Sequence, residues 1–234
     1  MTCLVTFCET VKNGKEDKLI IRQMALGPIQ ANCFILGCEQ TREAVVIDPG
    51  DDADRILSTL AADRLTVVHI INTHGHFDHV GANKRLKAVT GADILIHSAD
   101  APMLSQLSNA AAAWGLAAED SPPAERQLED GDTISFGAHT LTVLHTPGHT
   151  PGGICLYTEY NENHTPQKAV FVGDTLFAGS IGRTDFPGGS FDTLIDSIRT
   201  KLFSLDDDVA VYPGHMGSTT IGVEKRTNPF CGMG

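Results

Sequence analysis

Short apolar runs separated by turn residues open the chain. Residues 19–24 and 33–37 have strand length and are divided by Gly27 and Pro28, so two strands are predicted there. Residues 44–47 are continuously apolar and end in Asp48, Pro49 and Gly50, a buried strand that delivers an acid into a turn. Over 51–62, Ile56, Leu57 and Leu60 fall on one face at helical spacing. Residues 65–71 form another buried strand, which runs directly into Asn72-Thr73-His74-Gly75-His76-Phe77-Asp78-His79. A helix is predicted over 80–89, stopped by Gly91, and a strand over 92–97. An alanine-rich helix follows over 101–118, built around Met103, Leu104, Leu107 and Trp114 and ended by Ser121-Pro122-Pro123. Strands are expected at 133–136, 140–145, 153–158, 169–172 and 209–212. The helix over 191–202 sets Leu194, Ile195, Ile198 and Leu202 at core spacing.

The order strand, helix, strand, loop occurs twice. It predicts two sheets packed face to face with helices outside, of α/β or α+β class, and leaves the topology open. A length of 234 residues suits one domain, 1–234, with a sizeable core.

Composition changes this picture little: 41% apolar and 20% charged residues are ordinary for a globular protein. Charge says more. Seventeen basic against 29 acidic residues leave a net charge of −12, which repels phosphate backbones, and no run of basic residues offsets it. No nucleic-acid partner is expected. Nor is a membrane partner, because no apolar run nears the roughly 18 residues of a span. Residues 1–14 lack the order of a secretory leader, so a cytoplasmic location is expected. Cys3, Cys8, Cys33, Cys38, Cys155 and Cys231 include no Cys-x-x-Cys pair, which argues against a zinc ribbon. Free thiols in the core or at the surface are expected.

The candidate chemistry lies at strand ends. His74, His76, Asp78 and His79 fall within six residues. Residues two apart in extended backbone point the same way, so His74 and His76 can grip one ion. Asp78 and His79, after a turn, can serve a second. A lone loop histidine is ordinarily a cap or a surface residue; four ligand-type residues this close point to metal. Imidazole with carboxylate suits zinc, iron or manganese. Gly75 is expected to let the backbone approach an ion. Gly148-His149, Gly173-Asp174 and Gly214-His215 repeat one device, a strand handing over a ligand-type residue through a glycine. Together these residues complete a two-metal shell.

Segments 47–48, 73–79, 148–149, 173–174 and 214–215 resemble, in order, the five motifs of the metallo-β-lactamase superfamily. The resemblance implies an αβ/βα sandwich of two mixed β-sheets with helices on the outer faces and metals at the sheet edge. Within that superfamily the chain is similar to glyoxalase II-like thioesterases through segments 173–177, 182–189 and 226–230. That likeness implies His74, His76 and His149 on one ion, Asp78, His79 and His215 on the other, and Asp174 bridging both. Asp78 and Asp174 become the carboxylates of the reacting centre, and Asp48 orients the motif loop from behind. Two divalent ions are implied, zinc first, then iron or manganese. They would lower the pKa of a shared water from about 16 to about 7. The hydroxide would cleave a small-molecule thioester, an S-acylglutathione of the S-lactoylglutathione type.

Longer glyoxalase II enzymes grip glutathione with a lysine and a tyrosine where this sequence has Arg183 and Asp185. A second tyrosine is matched by Gly217, and their C-terminal helical segment is not matched before Gly234. The short thioesterase-like subgroup is therefore implied. Arg183 is expected to recognise an anionic group of the substrate, against the plainer role of bracing its loop through Asp185. Persulfide dioxygenases, which use one iron, also resemble this chain through a segment like 182–186. Residues 213–217 look more like the hydrolases.

Overall fold

The computed structural model describes residues 18–233, so Cys3, Cys8 and the stretch 1–14 lie outside the described residues. Strands β1 (Leu19–Leu26), β2 (Ala31–Cys38) and β3 (Glu43–Ile47) form an antiparallel meander. Helix α1 (Ala53–Ala62) crosses to β4 (Thr66–Ile71), which lies parallel to β3. Helices α2 (Phe77–Val80) and α3 (Asn83–Thr90) lead to β5 (Asp93–His97). A 3-10 segment, Ala101–Gln106, and α4 (Leu107–Ala112) precede β6 (Arg126–Leu128). These strands form one mixed sheet in sequential order, β1 to β6.

The second half supplies β7 (Thr133–Phe136), β8 (His139–His145), β9 (Ile154–Glu162) and β10 (Thr165–Gly173). A small hairpin, β11 (Leu176–Phe177) with β12 (Ser180–Ile181), follows. Next come α5 (Phe191–Ser197), prolonged by a π-helical turn over Ile198–Leu202, then β13 (Ala210–Pro213), β14 (Thr219–Thr220) and α6 (Ile221–Thr227). The second sheet runs β14-β13-β10-β9-β8-β7, with β10 and β13 parallel.

Alternation along the strands builds three apolar layers, because successive side chains face opposite ways. Phe34 and Leu36 of β2 meet Phe171 of β10 between the sheets. Cys33 and Ile35 face the other way, against a layer that includes Ile56 of α1 and Leu86 of α3. On the far side Val170 and Val172 join Leu194, Ile198 and Ile221 from the outer helices. The two mixed sheets with outer helices are the αβ/βα arrangement expected.

Two predicted helices differ in form. The one over 80–89 is two pieces, since Asp78 and His79 already belong to α2 and the chain breaks at Gly81–Ala82 before α3. A side chain at Gly81 would strike the Gly50 carbonyl, so this turn is locked against the loop after β3. The helix over 101–118 ends at Ala112. Gly115 takes a left-handed φ of 70°. Its N–H donates to Ala112 (3.0 Å) and that of Leu116 to Ala111 (3.1 Å), a Schellman stop. Trp114 is left 54% exposed rather than packed in a core. The short elements β6, β11, β12, β14 and α6 carry too few apolar positions to be read from periodicity. Cys33, Cys155 and Cys231 are buried free thiols, and Cys38 is buried as well. Among the described residues no helix is long and apolar enough to cross a membrane.

Candidate metal centre

Loops at one edge of the sandwich bring the candidate ligands together. Asp48 leaves β3 with a left-handed φ of 51°, which turns its carboxylate back under the loop after β4. Its Oδ1 accepts from the Thr73 N–H (2.7 Å) and its Oδ2 from the Thr73 hydroxyl (2.6 Å). The same Oδ2 lies 3.1 Å from His79 Nδ1. A carboxylate in contact with a ring nitrogen fixes the proton on that nitrogen, so His79 keeps Nε2 free for the centre.

The same logic propagates to His74. The Thr73 hydroxyl donates its hydrogen bond to Asp48, so at 3.1 Å it accepts from His74 Nδ1. His74 Nε2 is then a bare lone pair, fully buried and without a hydrogen-bond partner. His149 Nδ1 donates to the Arg183 carbonyl at 2.7 Å, which turns its Nε2 inward to 3.0 Å from His76 Nδ1. His79 Nε2 and His215 Nε2 face each other at 3.3 Å. Lone pairs so close repel unless a cation or proton stands between them.

Two groups result. His74, His76 and His149 offer ligand atoms within 4.8 Å of one another, and so do Asp78, His79 and His215. Asp174 reaches both. Its Oδ2 is 3.6 Å from His149 Nε2 and 3.6 Å from His215 Nε2. Its Oδ1 is 3.4 Å from His79 Nε2 and otherwise a buried orphan. A further triplet, Asp48 with His74 and His79, is also close, but the Asp48 oxygens are already engaged by Thr73 and His79. Buried orphan acceptors, convergent lone pairs and mixed nitrogen and oxygen donors fit a binuclear metal centre.

Charge agrees. Burial first, then the neighbouring imidazoles, hold His74 well below the usual histidine range and bring His76 down to about 4. Both rings are therefore neutral, as metal ligation requires. Burial also opposes a charge on His79, but Asp174, Asp78 and Asp48 together outweigh it and raise the ring to about 10. These carboxylates call for positive charge near Nε2.

The glycines serve packing rather than ion approach. At Gly75 a Cβ would fall 2.7 Å from Met103 Cβ, and its N–H donates to Asp100 Oδ2 at 3.0 Å. The space that sequence reasoning gave to an ion belongs to the 3-10 segment. Side chains at Gly182 and Gly214 would strike, respectively, the carbonyl and the carboxylate of Asp174.

Asp100 escaped the sequence reading. It is fully buried, and its Oδ1 accepts from the Gly152 N–H at 2.7 Å while Oδ2 holds Gly75. One carboxylate thus ties the His74–His76 loop to the His149 loop. An acid just past a buried strand, as Asp48 is, was the available signal.

Arg183 lies at the rim with its side chain 48% exposed. Its Nε and one terminal nitrogen make a two-pronged pair with Asp185, at 2.8 and 2.7 Å. Its guanidinium sits 3.8 Å over the Phe186 ring and 5.8 Å from that of Trp114. Phe186 in turn stands 5.5 Å from the His76 ring. Trp114 comes from the segment predicted as an alanine-rich helix, so that segment flanks the site.

A family model described as the metallo-beta-lactamase superfamily matches residues 26–215. The chain is 40% identical over 203 residues to the hydroxyacylglutathione hydrolase GloC of Haemophilus influenzae, covering 86% of this chain and 92% of that one. It is 32% identical over 222 residues to the mitochondrial persulfide dioxygenase ETHE1 of Bos taurus, covering 92% and 77%. A crystal structure described as TTHA1623 in a di-iron-bound form matches with a TM-score of 0.78 and 40% identity, covering 89% of this chain and 99% of that one.

Proposed function

The chain belongs to the metallo-beta-lactamase superfamily, and from that premise we propose that it is a single-domain, binuclear metal-dependent hydrolase of thioesters, with S-acylglutathione as the substrate type. The observation that carries this reading is Asp174, whose carboxylate lies within 3.6 Å of nitrogens from both ligand groups. His74, His76 and His149 would hold one ion, and Asp78, His79 and His215 the other, with Asp174 shared. Zinc suits these donors, and iron and manganese do as well. Bound there, two divalent ions polarise a carbonyl and make water a nucleophile at neutral pH.

The chain's own part is to orient. Asp48 and Thr73 set the rings of His79 and His74, and the Arg183 carbonyl sets His149. A thiolate leaves without help from an acid, so the site needs no dedicated proton donor. The buried cysteines do not compete as nucleophiles. Burial, then Asp48, pushes the Cys33 thiol well up, and burial raises Cys155 to about 11. Reduced thiols also favour a cytoplasmic setting.

The likeness to a persulfide dioxygenase supports a second reading, one iron acting on glutathione persulfide. The assembled second group of Asp78, His79 and His215 favours two ions. Metal analysis with parallel assays separates the readings. About two metals per chain and hydrolysis of S-lactoylglutathione are expected. One iron per chain, with oxygen consumed on glutathione persulfide, would sink the hydrolase.

A further inference from the structure

Beside Asp78 lies a groove of about 270 Å³, walled by Leu26, Pro28, Ile29, Phe77, Leu116 and Ala118. Whole small-molecule sites run from about 300 to 1,000 Å³, so this groove is the size of one arm of a ligand. The Schellman stop at Gly115 delivers Leu116 to its wall. Asp51 and Glu119 also line it, Asp78 borders it, and Lys84 already pairs with Glu119 at 3.1 Å. Every charged residue that lines it is therefore acidic, and the remaining side chains are apolar or glycine.

The other flank differs. There Phe186 stands against His76, and Arg183 and Trp114 stand against Phe186. A thioester has two arms. A glutathione arm carries two carboxylates, which the groove repels and a guanidinium attracts.

We infer that the groove beside Asp78 holds the acyl arm of the thioester and selects an uncharged, apolar acyl group. This rests on the thioester reading above. The scissile carbonyl then lies over the two ligand groups, with the acyl side toward Asp78 and the sulfur side toward His76.

The test uses the metal-loaded enzyme and glutathione thioesters of acetic, butyric and hexanoic acid. Each methylene the groove buries should raise kcat/KM about fourfold. Leu116→Asp should cut the hexanoyl ester by about tenfold or more and leave the acetyl ester within about twofold, flattening the series. Ile29→Asp, from another element, should do the same, so a folding defect in one variant does not decide the matter. Neither should alter the ratio between glutathione and N-acetylcysteamine esters of one acyl group. A flat acyl series in the wild type, or a variant effect on the thiol ratio instead, overturns the groove assignment while leaving the hydrolase intact. Failure of the wild type to hydrolyse any thioester overturns the hydrolase reading, and the acyl groove with it.

Discussion

Asp174 and Arg183 represent two kinds of residue, one inside the site and one at its rim. A carboxylate within 3.6 Å of nitrogens from both groups is placed to be shared, so removing it would disturb two ions at once. Asp174→Ala should therefore lower turnover by about a hundredfold or more, beyond the loss from His215→Ala, with the fold retained because all three cores are apolar. Near wild-type turnover with two metals bound would show that Asp174 bridges nothing. At the rim, Arg183 is held by Asp185 and stacked on Phe186. A guanidinium so engaged can still present its remaining N–H groups to a carboxylate. Arg183→Ala should raise KM for a glutathione thioester more than it lowers kcat, and spare a small neutral thioester. Asp185→Asn, which frees the guanidinium, should lower KM for the glutathione ester. Equal losses on both esters for Arg183→Ala would assign the residue to loop bracing.

Elements carry these residues to one place, and Asp100 acts on that scale. It spans from the loop after β5 to two ligand loops, satisfying one backbone N–H in each. An amide has a single acceptor oxygen, so Asp100→Asn leaves one of those N–H groups facing an NH2. Affinity for the ion of His74, His76 and His149 should fall about 10- to 100-fold, the range for loss of outer support, while the ion of Asp78, His79 and His215 is affected less. A cobalt or zinc titration resolving two steps checks this, and equal weakening of both steps would mean a general structural fault. This level is also where sequence and structure part. Strands such as β3 and β4 were legible because continuous β-branched runs must be buried, and the ligands were legible because each follows such a run. Asp100 was harder to read, since a turn separates it from the end of β5, whereas Asp48 follows β3 directly. Helix α4 was overextended because alanine favours a helix everywhere, whereas the stop depends on one left-handed glycine. The outward placement of Trp114 followed from that stop and from no periodicity.

At the scale of the molecule, the ligands join the two sheets. His74, His76, Asp78 and His79 follow β4 of the first sheet, whereas His149, Asp174 and His215 follow β8, β10 and β13 of the second. Each ligand group draws on both halves, which also meet directly at this edge through hydrogen bonds such as Gly152 to Asp100, Ile154 to Thr73 and Asn32 to Gly214. Metal ions held here would clamp the sandwich as well as do chemistry. Ions that bind the folded chain alone stabilise it by mass action, by about 2.7 kcal/mol for each site at a hundredfold excess over Kd. For a chain of this size each kcal/mol moves Tm by about 2 to 4 °C, so chelation should lower Tm by about 5 to 10 °C for each ion lost, and zinc should restore it. The loss should be local before it is global. Hydrogen exchange in the apo protein should rise in 72–79, 146–153 and 213–217 while β2, β3 and β10 stay protected by the apolar layers. Unchanged Tm and exchange after verified metal removal would mean that the sandwich is held by its cores alone and that the ions serve only the reaction.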